Sequence, residues 1–185
     1  MDEERNNDGW ILTYTGRQFW PLDPKPEYIC LTDIAHALAM KCRYTGHSRE
    51  FFSVAQHCIL CSWAAEEFGI DPRVALLHDA AEAYLPDIAT PLKHYFSELK
   101  AAEQVLQQMI FEKYLPEEGK VEGAWKYHEV DRAILIQEMK ALITNCELST
   151  YGCARAATLW EIHPWDWARA EENFHTECLL LGVSD

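Results

Sequence analysis

Val74-Ala75-Leu76-Leu77 runs directly into His78-Asp79-Ala80-Ala81-Glu82. The stretch reads as apolar helix interrupted by three groups that ionise. Burying an adjacent His and Asp is costly unless both are paired or hold a metal. Glu82 stands at i+4 from His78 and i+3 from Asp79, so on a helix the three share a face. Three polar groups converging on one turn of an oily helix point to chemistry rather than packing.

Two further positions suit a core only if they find partners. His57 sits inside the apolar run Phe51-Phe52-Ser53-Val54-Ala55-Gln56-His57-Cys58-Ile59-Leu60, and Asp131 stands between Val130 and the run Ala133-Ile134-Leu135-Ile136. Together with His78 and Asp79 they make a set of two imidazoles and two carboxylates. For a divalent ion preferring six ligands, four from the protein leave two positions for water and a substrate oxygen. Mn, Co, Fe, Ni or Mg suits such a set, and Zn also fits. Each member has a plainer reading beside this one. His57 alone can be a satisfied core histidine, and Asp131 a salt-bridge partner of Arg132 or Lys126. A bare His-Asp pair occurs often by chance.

The order His57, His78-Asp79, Asp131 resembles the HD superfamily of metal-dependent phosphohydrolases. The local words are closer still. Ser53-Val54-Ala55-Gln56-His57, Leu76-Leu77-His78-Asp79-Ala80-Ala81-Glu82-Ala83-Tyr84 and Asp87-Ile88-Ala89-Thr90-Pro91-Leu92-Lys93 resemble the bacterial 5′-deoxynucleotidases and their phage and prophage relatives. The resemblance runs from about Ile29 to Leu142. It implies one divalent metal ion on His57, His78, Asp79 and Asp131. It also implies that Glu82 and Asp87 handle the attacking water and the leaving oxygen. Arg43-Tyr44 matches the family's Arg-aromatic pair upstream of the first His, with Tyr where its monophosphatases carry Trp.

That chemistry suits the residues themselves. Phosphate ester hydrolysis is catalysed mostly by positioning and charge stabilisation. Glu82 is placed to accept or orient a water proton. Asp87, just past Pro86, can hold a second water or a ribose hydroxyl, and Arg43 can bind phosphate oxygens bidentately. His47 and Lys93 are candidate phosphate contacts, or else a loop histidine and a solvated lysine. Trp20, with Phe19, either walls a nucleobase by stacking or covers the bundle. His128, one turn before Asp131, either replaces or supports a ligand or is a surface residue. Cys58-Ile59-Leu60-Cys61 is a CxxC inside a helix with no second pair, which argues against a redox or zinc role. Trp160, Trp165 and Trp167 read as core or a subunit interface.

The elements that position these residues read as an all-α helical bundle of the HD-domain kind with a small N-terminal β-hairpin. Residues 1–28 form a polar tail, a hairpin around Thr15-Gly16 and a Pro-rich connector, and residues 29–185 form the phosphohydrolase domain. Thr32 or Asp33 caps a helix to about Cys42. Ser53 caps one through Phe68, ended by Gly69. Asp71-Pro72 starts the helix carrying His78-Asp79. Ser97 caps a long helix to Leu115, stopped by Pro116. Another runs from about Val121 to Leu142, and Asp166 caps the last, Trp167 to about Leu181.

Composition narrows the function classes. The 185 residues suit one domain, and 49% hydrophobic content suffices for one core. Sixteen basic residues against 30 acidic leave a net charge of −14, which repels phosphate backbones and anionic lipid. Bulk nucleic-acid binding is therefore not expected, and no apolar run is long enough to span a membrane. The seven cysteines and the acidic N-terminus fit a reduced, cytoplasmic protein without a secretory signal. The expected function is metal-dependent removal of phosphate from a small-molecule nucleotide, a deoxynucleoside 5′-monophosphate first, by a homo-oligomer. A deoxynucleoside triphosphate triphosphohydrolase is the alternative. A non-catalytic nucleotide-binding module and a structural zinc protein are the further ones.

Overall fold

The computed structural model describes residues 9–115, 127–145 and 161–185. Over these the chain is mostly helical, with one two-stranded antiparallel sheet. Strands β1 (Ile11–Leu12) and β2 (Gln18–Phe19) pair Ile11 with Phe19 and Leu12 with Gln18. Asp33 anchors the turn between them, accepting from the Thr15 N–H at 2.7 Å and the Thr15 hydroxyl at 3.0 Å. Phe19 is fully buried and stacks on Tyr84 at 4.0 Å, so the hairpin covers the bundle.

Asp33 therefore does not cap the first helix. Helix α1 (Leu31–Met40) starts after Cys30, whose side chain makes no capping bond. The Leu31 N–H instead donates to the Asp185 carboxylate at 3.1 Å. The helix also ends two residues early, because Cys42 bridges antiparallel to Ser53 and the Arg43 N–H donates to the Phe52 carbonyl at 2.8 Å.

Helix α2 (Val54–Ala64) begins as its sequence predicts, with the Ser53 hydroxyl accepting from the Gln56 N–H at 3.1 Å. Every residue of α2 except Trp63 is buried. A helix apolar all round belongs at the centre of a bundle, and α1 and α2 are followed by the helices that surround it. These are α3 (Pro72–Leu77), α4 (Thr90–Lys93), α5 (Ser97–Tyr114), α6 (Tyr127–Leu142) and α7 (Trp167–Leu180). Helices α1, α3, α6 and α7 all pack on α2. A tighter turn over Ala65–Phe68 closes α2, and Gly69 at φ 66° supplies the left-handed residue that ends it.

Asp71 and Pro72 open α3 as expected, Asp71 accepting from the Arg73 N–H at 2.8 Å. The helix then stops at Leu77. His78 and Asp79 stand at a break, with Asp79 at φ −104°, ψ 13°, and a 3-10 turn over Ala80–Ala83 follows. The continuous helix expected through Glu82 is thus two pieces. Gln107 of α5 holds them together. Its amide donates to the Leu77 carbonyl at 2.8 Å and accepts from the Ala81 N–H at 3.0 Å, satisfying both groups that the break exposes.

Ser97 is the first residue of α5 rather than its cap, which is Phe96 without a side-chain bond. Asp166 caps α7 as expected, accepting from the Arg169 N–H at 2.8 Å. The expected helix start at Val121, the stop at Pro116 and Trp160 lie outside the described residues. Among the described residues, no helix is long and apolar enough to cross a membrane.

Candidate metal centre

Four of the polar groups singled out in the sequence meet beside α2. His57 comes from α2, His78 and Asp79 from the break after α3, and Asp131 from the first turns of α6. His57 Nε2 lies 3.3 Å from His78 Nε2, 3.1 Å from Asp131 Oδ1 and 3.9 Å from Asp79 Oδ2. His78 Nε2 lies 3.3 Å from Asp79 Oδ2. Both imidazoles are buried, while the side chains of Asp79 and Asp131 are 24% and 34% exposed. The cluster therefore opens toward solvent through its carboxylates.

The far side of each ring fixes its tautomer. His57 Nδ1 lies 2.7 Å from Glu138 Oε1, and His78 Nδ1 lies 2.7 Å from the Ala75 carbonyl. A carboxylate and a carbonyl only accept, so both Nδ1 atoms carry their protons and donate. In the neutral rings both Nε2 lone pairs then point into the cluster, toward two carboxylates. Four acceptors facing one another call for a cation or a proton. Histidines whose outer nitrogens donate to a carboxylate or a backbone carbonyl are oriented as metal ligands are.

The local electrostatics express the same demand. Burial and the Arg43 guanidinium both oppose charge on His57, yet Cys61, Glu138 and Asp131 outweigh them and lift its pKa well above the ordinary imidazole value. His78 is raised likewise, burial being overcome by Asp79. Burial alone would raise Asp79, but His78, His57 and Arg43 hold it far below the usual carboxylate range.

Glu138 is not evident from the sequence. Its carboxylate is fully buried on α6 and gathers three donors: His57 Nδ1, Arg43 Nε at 3.0 Å and the Tyr44 hydroxyl at 2.7 Å. Arg43 and His57 keep it ionised against the pull of burial. The signal that could have found it is spacing, since Glu138 stands two turns after Asp131 and on nearly the same face. Arg43 and Tyr44 lie in a tight turn, with Tyr44 at φ 58° and Thr45 at φ 52°, a conformation that costs energy in residues other than glycine. That turn brings Arg43 Nη1 to 3.9 Å from Asp79 Oδ2.

Glu82 is buried in the turn after the break, and Lys93 Nζ lies 4.0 Å from its Oε1. Burial, with Asp79 and Asp87 adding to it, raises the Glu82 pKa to about 8. Asp87 is exposed beyond the turn. Lys93 also donates to Glu103 at 2.9 Å. A second lysine, missed in the sequence, approaches from α1: Lys41 donates to the Glu82 carbonyl and, at 2.6 Å, to the Leu85 carbonyl. Burial lowers its pKa, against the pull of Glu82, Asp87 and Asp79.

Other expected contacts are not drawn in. His47 is exposed at the end of the Arg43 turn, and no described contact links its side chain to the cluster. Trp20 packs beside Tyr28, ring centroids 6.2 Å apart, on the hairpin side of the bundle. His128 is exposed and rests on Tyr127, whose ring lies 5.1 Å from that of His78. Trp165 is half-buried against the core and Trp167 is exposed. A cavity of about 390 Å³ is lined by Pro26, Glu27, Met109, Glu112 and Lys113 and includes none of the cluster.

Two bacterial proteins carry similar sequences. The chain is 41% identical over 106 residues to the uncharacterized protein YfdR of Escherichia coli (strain K12), which is 57% of this chain and 58% of that one. It is 41% identical over 91 residues to an uncharacterized protein of Rhodobacter capsulatus, covering 45% of this chain and 46% of that protein. The chain thus spans about half the length of the curated relatives it matches. No protein-family model matches it.

Proposed function

We propose that this protein is an HD-superfamily phosphohydrolase that removes phosphate from deoxynucleoside 5′-monophosphates. The observation that carries the reading is the convergence of two Nε2 atoms and two carboxylates with their rings locked from behind. His57, His78, Asp79 and Asp131 would hold one divalent ion there. When bound, that ion supplies charge to a phosphoryl oxygen and lowers the pKa of water.

The chain's own groups supply the rest. Glu82, with its pKa near neutrality, takes a proton from the attacking water and returns one to the leaving oxygen. Lys93 and Lys41 offset the negative charge that gathers around it. Arg43, oriented by Glu138, presents its guanidinium edge beside Asp79, where phosphate oxygens would be gripped. Glu138 holds both Arg43 and His57, so it fixes the phosphate clamp and one metal ligand together. Asp87 stands at the exposed rim, suited to a sugar hydroxyl or a second water. Described cysteines all free of disulfides support a reducing, cytoplasmic setting.

The test is a panel of nucleoside mono- and triphosphates with the manganese-loaded protein. Inorganic phosphate from monophosphates supports the reading. Inorganic triphosphate as product would replace it with triphosphohydrolysis, and no release from any nucleotide would leave a binding module.

A further inference from the structure

The cluster contains a sulfur atom that the two-His, two-Asp reading does not use. Cys61 lies one helical turn after His57 on α2 and is fully buried. Its Sγ is 3.5 Å from His57 Nε2 and 3.9 Å from Nδ1, so it sits on the metal-facing side of the ring. One donor atom each from His57, Cys61, His78 and Asp131 falls within 4.8 Å of all the others. Its described hydrogen-bond contacts are with His57 alone.

Three of these spacings, all measured from His57 Nε2, fit a particular geometry. Zinc bonds of about 2.0–2.1 Å to nitrogen and 2.3 Å to sulfur, at tetrahedral angles, put nitrogens roughly 3.4 Å apart and nitrogen and sulfur roughly 3.5 Å apart. The structure has 3.3 Å between the two Nε2 atoms, 3.1 Å from His57 Nε2 to Asp131 and 3.5 Å from His57 Nε2 to Cys61. Asp79 Oδ2 lies 3.3 Å from His78 Nε2 but 3.9 Å from His57 Nε2, farther than Cys61 from the His57 ring.

We propose that Cys61 is a sulfur ligand, and that the centre takes a thiophilic divalent cation, zinc above all, through His57, His78, Asp131 and Cys61. The thiol proton leaves to water as the sulfur–metal bond forms. Thiolate donors favour zinc over magnesium or manganese, whose preference is for oxygen. The zinc set and the His57-His78-Asp79-Asp131 set share three residues and exchange Asp79 for Cys61, so the ion that occupies the centre selects between sulfur and carboxylate. A set closed by four protein ligands has no open position for substrate. The proposal rests on the reading of this cluster as a metal centre, but not on the phosphatase reaction.

Cobalt is the probe, added to the metal-free, reduced 185-residue chain. A thiolate-to-cobalt charge-transfer band in the near ultraviolet is expected at one equivalent. Cys61→Ser and Cys61→Ala should both abolish it, with circular dichroism confirming the fold, and should weaken zinc binding by about 100-fold or more. Cys178→Ser, on α7 and in neither donor group, should keep the band, and so should Cys58→Ser, although Cys58 lies with His78 and Asp79 in a second donor group. Cobalt bound without the band, or a band that survives loss of Cys61, would overturn the sulfur ligand and leave the metal centre standing. No binding of cobalt, zinc or manganese by equilibrium dialysis would overturn both. Manganese binding without phosphate release would remove only the phosphatase reading.

Discussion

At the scale of single residues, the proposed metal centre assigns separate roles to ligands and to the groups beside them, and these roles can be tested apart. Asp79→Ala should lose manganese, because no other described carboxylate lies between His78 and Arg43 at those distances, while zinc on the set that uses Cys61 should stay bound. Glu82→Gln should keep the metal and lower kcat by about 10²- to 10⁴-fold, the usual worth of a general base. Metal content and turnover measured on both variants separate the two roles, and full activity in Glu82→Gln would refute its part in the reaction. Glu82 also carries a stability signature. Its pKa is about 8 in the folded, metal-free chain against a reference of 4.5, so the folded state binds the proton more tightly. The stability it contributes is present below pH 4.5 and is lost as pH rises through 8. Glu82→Gln should therefore stabilise the metal-free chain at pH 8.5 by a few kcal/mol, since each tenfold difference in proton affinity is worth about 1.4 kcal/mol. The gain should shrink toward pH 5, and urea unfolding at the two pH values checks this. Glu138→Gln weakens the acceptor behind His57 and should reduce metal affinity about 10- to 100-fold.

At the scale of elements, the break in the helix carrying His78-Asp79 is what the sequence pattern could not reveal. The residues around it are good helix formers, and Glu82 is in phase with a continuous helix. The cause lies 26 residues downstream of Ala81, in the amide of Gln107 that accepts and donates across the gap. A polar residue in a long amphipathic helix gives no sign of such a task. Gln107→Leu should leave both backbone groups buried without partners and cost about 1–3 kcal/mol, with metal affinity falling as the two ligands shift. Thermal unfolding with and without metal would show it. The local signals fared better wherever chemistry was confined to a few residues. Ser53, Asp71 and Asp166 cap the helices as their types predict, and Gly69 ends α2. Asp33 fails as a cap because the hairpin turn claims its carboxylate. His57, His78, Asp79 and Asp131 could be picked out because each is costly in its apolar setting. Glu138 and Lys41 do not stand out in this way, since a Glu or Lys on a helix is ordinarily solvated, and Cys61, visible as half of a CxxC, reads as core because a buried cysteine ordinarily is.

At the scale of the molecule, distant parts of the chain close on the first helix. Asp185 accepts from the Leu31 N–H and, at 2.6 Å, from the Tyr114 hydroxyl, joining the described C-terminal residues to α1 and α5. Asp185→Ala should cost about 1–2 kcal/mol of stability while leaving kcat unchanged, because none of its contacts reach the cluster. The net charge of −14 makes the few cations at the centre decisive for an anionic substrate. Arg43, Lys41 and Lys93 surround Asp79 and Glu82 in a chain that otherwise repels phosphate. This local field and the donor cluster together are proposed to hydrolyse a nucleotide monoester. The most direct measurement is phosphate release from a deoxynucleoside 5′-monophosphate by the manganese-loaded protein, beside the same protein stripped of metal. Release that requires the metal and disappears in Glu82→Gln is the predicted result. Absence of release from every nucleotide offered, with manganese bound, would contradict it.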